Sequence, residues 1–349
     1  MPNPCKQRRL LPATLCLGIA FCMLSTNGCG ASKARSPRSS TGLPHTDVVI
    51  HPGKRPEPVL VDPVDHRVYV GTETGGSVTA INDRTYRVLK RVFVGREVED
   101  LALDRGRGTI LAVSSVVGHL TAVSTRSLRI VRVLRGLAHP SGVAVDPRHG
   151  LVLVAESGAN RVAIVKLRQL KILGTIAVPG KPEGIAVDAK AGRVFVTVAK
   201  PGRLAVISER SRKVIRVLRV GSRPLHPIRL DARGHRLYVV NAGSSTISVV
   251  DIRSLRVERT IATAPHPEGL DVEPNMGRIF VSNEGDPGTD RNSGHSVSVI
   301  SLTTGHIIDS LPTLRGPDGI AYDSTTRRLW VSTEDLGREL AIKLPRKDG

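Results

Sequence analysis

Apolar and polar residues alternate along residues 46–349 in short segments that recur with a fixed period. Each repeat has an apolar segment with an anchoring acid, then a second strand five residues later and two further strands, separated by Gly, Pro and Asp turns. The anchoring acids are Asp62, Asp104, Asp146, Asp188, Asp231, Glu273 and Asp323, with spacings of 42, 42, 42, 43, 42 and 50 residues. A period of two residues favours strands over the helices of a helical solenoid. Four short strands in each of seven repeats predict an all-β, seven-bladed β-propeller.

The second strand of several repeats carries a recognisable motif. It reads Tyr-Val-Val-Asn at 238–241 and Phe-Val-Ser-Asn at 280–283, and more loosely Tyr-Val-Gly-Thr at 69–72 and Trp-Val-Ser-Thr at 330–333. In these residues the chain resembles the bacterial repeat family named for its Tyr-Val-Thr-Asn strand, although blades two to four depart from the motif. The resemblance covers about residues 46–349 and implies a propeller. Because lactonases, metal-dependent lyases and noncatalytic surface proteins share such repeats, it leaves the function open.

The two ends of the repeat region predict how the ring closes. The chain ends 26 residues after Asp323, at the point where blade five begins its fourth strand, so the last blade lacks an outer strand. Residues 46–50 lie 12 residues before Asp62, where a fourth strand belongs. We therefore expect residues 46–50 to complete the last blade and to cover its open edge.

The first 29 residues have the order of a secretory signal. Residues 1–9 are basic, residues 10–24 are almost wholly apolar, and small or polar residues follow. A membrane anchor is the alternative, but the apolar core is shorter than a spanning helix needs. Cys29 follows a glycine, as in the lipobox of bacterial lipoproteins, yet Thr26 stands where that motif has Leu. Lipidation of Cys29 and ordinary cleavage nearby both remain open, and residues 30–45 are predicted to be a flexible tether.

The composition and the missing motifs exclude several kinds of chemical site from the repeat region. All four cysteines lie within the first 29 of the 349 residues, which excludes a disulfide, a cysteine nucleophile and a cysteine zinc site from residues 46–349. No run reaches the roughly 18 consecutive apolar residues of a spanning helix, so a polytopic membrane protein is excluded. Nucleophile-elbow, zinc-protease, phosphate-loop and dinucleotide-binding motifs are also missing.

One position in each repeat is rich in acids. Five residues before the successive anchors stand Glu57, Glu99, Ser141, Glu183, His226, Glu268 and Asp318. We expect these residues on the loops that join each outer strand to the next inner strand, at the mouth of the channel, on a surface that we call the top face. The acids could cap backbone amides in a repeated turn. Alternatively, they bind a ligand, and oxygen ligands around one axis suit a metal or another cation.

Blade six breaks the period on the same face. Its 50-residue spacing comes from an excess of eight residues in the turn 284–295, which contains Asp286, Asp290, Asn292 and His295. Such an insertion is either a tolerated loop or a functional one. The predicted metal ligands are Glu183, His226, Glu268, Asp286, Asp290, His295 and Asp318. Calcium, magnesium or manganese is the cofactor that this set would hold.

The turns on the opposite side, the bottom face, are rich in arginine. Examples are residues 105–107, 233–236 and 253–256, in a chain with a net charge of +20. A basic face could contact a membrane surface or a cell-wall polymer, or it could simply be solvated. Aromatic residues make up only 3% of the chain, which leaves little to stack on bases and, together with export, argues against nucleic acid.

These observations favour one function and leave two alternatives. The favoured function is that of a noncatalytic scaffold that binds a small molecule or a protein through its top face. The propeller would be exported, and it would be either free in the periplasm or anchored by lipid to a membrane, facing the periplasm or the cell surface. The first alternative is a metal-dependent lyase or lactonase-like enzyme that uses the top-face carboxylates and histidines. The second, an accessory to periplasmic quinoprotein oxidation, rests on the resemblance alone.

Overall fold

A computed structural model describes residues 46–285 and 295–344, apart from the side chains of Thr46, Asp47 and His226. The predicted signal (1–29), its Cys29 and the predicted tether (30–45) lie outside the described residues. Within the described residues, no helix has the length and apolar content needed to cross a bilayer.

The described chain forms seven four-stranded antiparallel sheets, the blades of a β-propeller. The innermost strands of blades one to seven are β2 (Pro56–Asp62), β6 (Val98–Asp104), β10 (Pro140–Asp146), β14 (Pro182–Asp188), β18 (Pro224–Asp231), β22 (Pro267–Glu273) and β26 (Pro317–Asp323). The second strands are β3 (Arg67–Thr72), β7 (Thr109–Ser114), β11 (Leu151–Glu156), β15 (Arg193–Val198), β19 (Arg236–Asn241), β23 (Arg278–Asn283) and β27 (Arg328–Thr333).

The third strands are β4 (Ser77–Asn82), β8 (His119–Ser124), β12 (Arg161–Lys166), β16 (Arg203–Ser208), β20 (Thr246–Asp251), β24 (Ser296–Ser301) and β28 (Arg338–Lys343). The outer strands are β5 (Val88–Phe93), β9 (Ile130–Leu134), β13 (Lys171–Ala177), β17 (Lys213–Arg219), β21 (Arg256–Ala262), β25 (Ile307–Pro312) and, for blade seven, β1 (Thr46–Ile50). Three short 3-10 helices span Ala242–Ser244, Pro274–Met276 and Glu334–Leu336. The predicted seven-bladed, all-β fold is confirmed.

The hydrophobic core lies between the blades. The middle two strands of each sheet are buried on both faces, whereas the outer strands alternate between buried and exposed positions or are largely exposed. A typical core cluster joins Leu111 and Leu120 of blade two to Val152 and Val165 of blade three. Because no blade can bury its faces alone, each blade depends on both neighbours for stability.

The anchoring acids end the inner strands and cap the turns that follow. Asp146 Oδ1 accepts hydrogen bonds from the amides of Arg148 at 2.9 Å and His149 at 3.1 Å. Asp188 and Asp323 make the same pair of bonds in their own blades. The acid that marks the period in the sequence is therefore a turn cap at the bottom face.

Close contact between inner strands explains the Pro-Glu/Asp-Gly form of some repeats. Ser332 of blade seven donates a hydrogen bond of 2.8 Å to the backbone oxygen of Glu57 in blade one, and Ser282 donates to that of Asp318. A Cβ atom on Gly319 would clash with the Glu57 carbonyl, and one on Gly269 with the Asp318 carbonyl. Glycine follows the acid there because the next blade leaves no room for a side chain.

The ring closes between the two ends of the described chain. Strand β1 pairs antiparallel with β28, with Val49 opposite Leu340 and Ile50 opposite Glu339. The strand order of blade seven is β1-β28-β27-β26. The predicted closure is confirmed, since residues 46–50 supply the missing outer strand.

Candidate functional site

The acidic ring position lies in the innermost strands and not, as the sequence suggested, in the loops before them. It is the second strand residue in six blades and the third in blade five, where His226 occupies it. In blades one and seven the preceding proline already pairs with the second strand, and a bulge follows at once, between Pro56 and Val59 and between Pro317 and Ile320. Such bulges redirect side chains, and here the acids reach the channel.

Backbone hydrogen bonds confirm that the loops after the second strands lie on the same face, the top face, as the loops before the inner strands. The amide of Glu73, after a second strand, donates to Arg55 O at 2.9 Å, before an inner strand. Glu97 N donates to Glu73 O at 2.8 Å, and Ser115 N donates to Glu97 O at 3.0 Å. These bonds link the top loops of neighbouring blades around the mouth.

The mouth opens into a cavity of about 280 Å³ on the propeller axis. Glu57, Glu99 and Asp318 line it together with Asp100 and Asp271. Carboxylates from blades one, two, six and seven therefore surround one small space, whereas the ring acids Glu183 and Glu268 do not line it.

Two of these carboxyls have strongly perturbed acidity. Burial raises the pKa of Glu57 well above its usual range, and the charges of Asp318 and Glu99 add to the effect. Burial likewise raises the pKa of Asp318, reinforced first by Glu268 and then by Glu284. Both carboxyls therefore retain protons at pH values where an ordinary carboxyl is ionised.

The other ring acids have neighbouring partners at the rim. Ser115 Oγ donates to Glu99 at 2.6 Å. The ammonium of Lys181 lies 2.7 Å from Glu183, and the guanidinium of Arg223 lies 3.6 Å from Glu268. Glu183 is thus neutralised by Lys181 from within its own loop, whereas Glu57 and Asp318 have other carboxylates as neighbours.

The lower acids of the cavity have structural roles. Asp100 Oδ2 accepts the amide of Val143 in the next blade at 2.9 Å. Asp271 accepts a hydrogen bond of 2.7 Å from the amide of Tyr322 in the next blade and another of 3.2 Å from the guanidinium of Arg229. These carboxylates hold adjacent inner strands together.

The structure places only part of the predicted metal-ligand set. Asp286, Asp290 and Asn292 lie outside the described residues, as does the side chain of His226. His295 lies at the top face and, with His266, favours the charged form of Glu284, although burial raises the Glu284 pKa overall. The ligand atoms of Glu183, Glu268, Asp318 and His295 form no compact group of three among the described side chains.

The one compact group of three candidate ligands among the described side chains lies at the bottom face. Asp146, His149 and Glu209 bring one ligand atom each to within 4.8 Å of the others. Burial opposes ionisation of Asp146, yet contacts with His149 and Glu209 lower its pKa, whereas burial and the Asp146 carboxyl raise the pKa of Glu209 to about 7.

Sequence reasoning missed this group, although the repeat carries a signal for it. Glu209 directly follows the third strand, a position held in the other six blades by Asp83, Thr125, Leu167, Ile252, Leu302 and Leu344. The aliphatic residues among them are buried or nearly buried. A carboxylate at this core position is unusual, and only blade one, with the buried Asp83, and blade four, with Glu209, carry one.

Many bottom-face arginines have partners. Arg107 lies 3.2 Å from its own blade's Asp104, and Arg236 lies 2.8 Å from Glu258. Arg193 donates at 2.6 Å to the backbone oxygen of Ile252 in the next blade. Part of the positive charge at this face is therefore used within the fold.

Comparisons with known proteins establish the fold and go no further. No protein-family model matches the chain, and no curated protein matches it. Among solved structures, Kuenenia stuttgartiensis hydrazine synthase superposes with a TM-score of 0.71 at 13% identity, covering 90% of this chain and 99% of that one. The β-propeller domain of Cps50 (Swd1) from Myceliophteria thermophila superposes with a TM-score of 0.73 at 15% identity, and the match covers 86% of this chain and 99% of that one. At these identities the likeness shows a shared propeller architecture alone.

Proposed function

We propose that this protein is a noncatalytic binding scaffold that takes a cationic group of a small molecule or a partner protein into the mouth of its channel. The convergence of Glu57, Glu99 and Asp318 on one cavity carries the proposal, and Glu268 adds its charge because it lies close enough to raise the pKa of Asp318. These acids come from four blades of a chain with a net charge of +20. Burial, and then repulsion between the acids, favours protonation of Glu57 and Asp318, and a bound cation would replace those protons.

An organic cation fits the mouth better than a bare ion does. The cavity of about 280 Å³ exceeds what one ion fills, and the described acids there form no compact set of three ligands. A guanidinium or ammonium group can instead bridge carboxylates that are farther apart. A calcium, magnesium or manganese ion completed by the blade-six insertion is the alternative occupant.

Calorimetry distinguishes these occupants. Agmatine and spermidine serve as organic probes, and the chlorides of the three metals are titrated separately. We expect an organic cation to bind wild type, with release of protons and with affinity that rises with pH, because binding lowers the raised pKa values of Glu57 and Asp318. Glu57→Gln with Asp318→Asn should weaken binding at least about tenfold.

Asp335→Asn is the matched control, since Asp335 is an exposed top-face acid outside the ring, paired with Arg315. It should bind as wild type does. Tight binding of a metal alone would favour the metal-dependent lyase or lactonase alternative. Wild type that takes up neither class at millimolar concentration contradicts the proposal.

We also propose that residues 1–29 export the protein and that Cys29 is lipidated, so that the propeller is held at a membrane in the periplasm or on the cell surface. The order of charged, apolar and small residues supports export, and Gly28 before Cys29 supports lipidation.

Fractionation tests the anchor. We expect wild type in the membrane fraction with an acyl label, and Cys29→Ser in the soluble exported fraction without it. Cys22→Ser is the control and should behave as wild type. Soluble wild type with an N-terminus beyond residue 29 would show ordinary cleavage.

A further inference from the structure

We propose that Asp146, His149 and Glu209 form a binding site for a divalent transition-metal ion of the zinc class, at the bottom face between blades three and four. This site is separate from the channel mouth and does not depend on the function proposed there. It uses residues that neither the acidic ring nor the blade-six insertion includes.

The ligand atoms are close to the spacing that such an ion requires. His149 Nδ1 lies 2.5 Å from Asp146 Oδ2 and 3.5 Å from Glu209 Oε2. In a tetrahedral zinc shell with bonds of roughly 2.0–2.2 Å, neighbouring ligand atoms are about 3.3–3.5 Å apart. Binding therefore needs the hydrogen-bonded pair Asp146 and His149 to separate by about 1 Å, while Glu209 already stands at the right distance from the imidazole.

Glu209 supplies an independent sign of a missing ligand. Only 10% of its side chain is exposed, and among the described residues its carboxyl has no hydrogen-bond partner outside the group that it forms with Asp146 and His149. A buried carboxyl without such partners is costly. Leu or Ile at the equivalent position of four other blades shows that the fold does not need an acid there.

The local structure holds the first two ligands in place. Asp146 ends β10 and is fully buried, and its Oδ1 accepts the amides of Arg148 and His149. This turn cap fixes the carboxylate and leaves Oδ2 facing the imidazole. Backbone hydrogen bonds to a ligating carboxylate are the usual way in which proteins orient a metal ligand.

A cavity of about 410 Å³ gives an ion access to the group. His149 and Glu209 line one side, and Leu151, Ile164 and Val194 contribute to its apolar wall between blades three and four. An ion held by three protein ligands would have its remaining coordination position toward this space. That arrangement provides the entry path and the open position that a three-ligand site needs.

The donor set selects the class of metal. One imidazole with two carboxylates suits zinc and its neighbours such as cobalt, whereas calcium and magnesium prefer six or more oxygen ligands. The two negative charges of the Asp146 and Glu209 carboxylates would neutralise a divalent ion.

The boundary between blades seven and one offers an internal comparison. There His66 Nδ1 lies 3.2 Å from the fully buried Asp83, but Arg84 contacts His66 Nε2 at 2.7 Å. The nearby Asp323 accepts the hydroxyl of Thr326 at 2.6 Å. Asp83 stands at the repeat position of Glu209, but here Arg84 occupies the second imidazole nitrogen of His66 and Thr326 occupies the Asp323 carboxylate. These residues therefore make a matched control.

Zinc and cobalt titrations of the chelator-treated full chain test the proposal. We expect wild type to bind one Zn²⁺ with a raised thermal midpoint, and Co²⁺ to give the visible absorption of a low-symmetry site. Glu209→Leu and His149→Gln should each weaken Zn²⁺ binding at least about 100-fold and abolish the Co²⁺ spectrum. Leucine is chosen because other blades carry it at this position, so the variant should remain folded.

His66→Gln and Asp83→Asn should bind Zn²⁺ as wild type does, and so should the channel variant with Glu57→Gln and Asp318→Asn. The proposal is overturned if wild type binds no Zn²⁺ at micromolar concentration. It is equally overturned if Glu209→Leu and His149→Gln, shown to be folded by their thermal midpoints, bind as wild type, or if the His66 control loses binding to the same extent.

Discussion

A chain that begins at residue 51 is expected to be markedly less stable than one that begins at residue 46, and to aggregate. The five residues that differ form β1, the outer strand of blade seven. Without them β28 becomes the sheet edge, and its unpaired backbone groups can pair with another molecule.

The expected loss follows from what β1 buries. Ile50 is 6% exposed and packs with Val59 and Trp330 in the cluster that joins blades seven and one, while Val48 and Val49 are half-buried. Full burial of one such side chain contributes roughly 1.5–3 kcal/mol. With the backbone pairing, we expect a loss on the order of 3–5 kcal/mol and a lower thermal midpoint.

Ile50→Ala separates packing from edge exposure. It should lower stability by about 2–5 kcal/mol as a core truncation, while light scattering stays at the level of the chain beginning at residue 46. The shorter chain should show both lower stability and strong scattering. Equal thermal midpoints for the chains beginning at 46 and 51 would mean that closure by β1 contributes little.

The fold was predictable because its determinants are local and repeated. Anchoring acids such as Asp146 accept hydrogen bonds from amides two and three residues later in the chain. The alternation of apolar and polar residues that marks a strand is also local, since a strand such as β11 has six residues. Closure was predictable for a different reason: seven copies of one pattern reveal which strand is missing and which one is left over.

The site was less predictable because its chemistry depends on neighbours far apart in the sequence. Glu57 and Glu183 occupy the same repeat position, yet Glu183 meets Lys181 and Glu57 is buried beside Asp318, 261 residues away in the chain. The repeat predicts where these side chains begin, but not which charges surround them. The bottom group likewise joins residues of two blades, so no contiguous motif marks it, and its one signal is an acid at a repeat position that four other blades fill with Leu or Ile.

Glu339 is expected to destabilise the protein, so that Glu339→Leu should make it more stable. Its side chain is fully buried, and neither carboxyl oxygen has a hydrogen-bond partner among the described residues. It lies opposite Ser332 in the sheet and opposite Ile50 of β1, neither of which ionises. The equivalent residues of blades one to six are Val78, Leu120, Val162, Leu204, Ile247 and Val297.

The gain should depend on pH in a defined direction. Burial raises the pKa of Glu339 well above its ordinary value of 4.5. Between the unfolded and the folded pKa the native state binds the extra proton, so the free energy of unfolding of wild type falls as the pH rises through that window. Glu339→Leu lacks this proton, so its advantage should grow from about pH 4.5 upward and level off above the folded pKa.

Urea titrations of both proteins at a series of pH values measure this advantage. A buried polar group without partners costs about 1–3 kcal/mol, and we expect the variant to gain at least that much at neutral pH. Glu156→Leu is the matched control. Glu156 is also fully buried, but its carboxylate accepts hydrogen bonds from the guanidinium of Arg161 at 2.6 Å and from the amide of Ala138 at 2.7 Å. Removing that carboxylate leaves a guanidinium and an amide without their acceptor, so the control should lose stability where Glu339→Leu gains it. A loss in both variants, or a gap that does not change with pH, would mean that Glu339 has a stabilising partner in the folded protein.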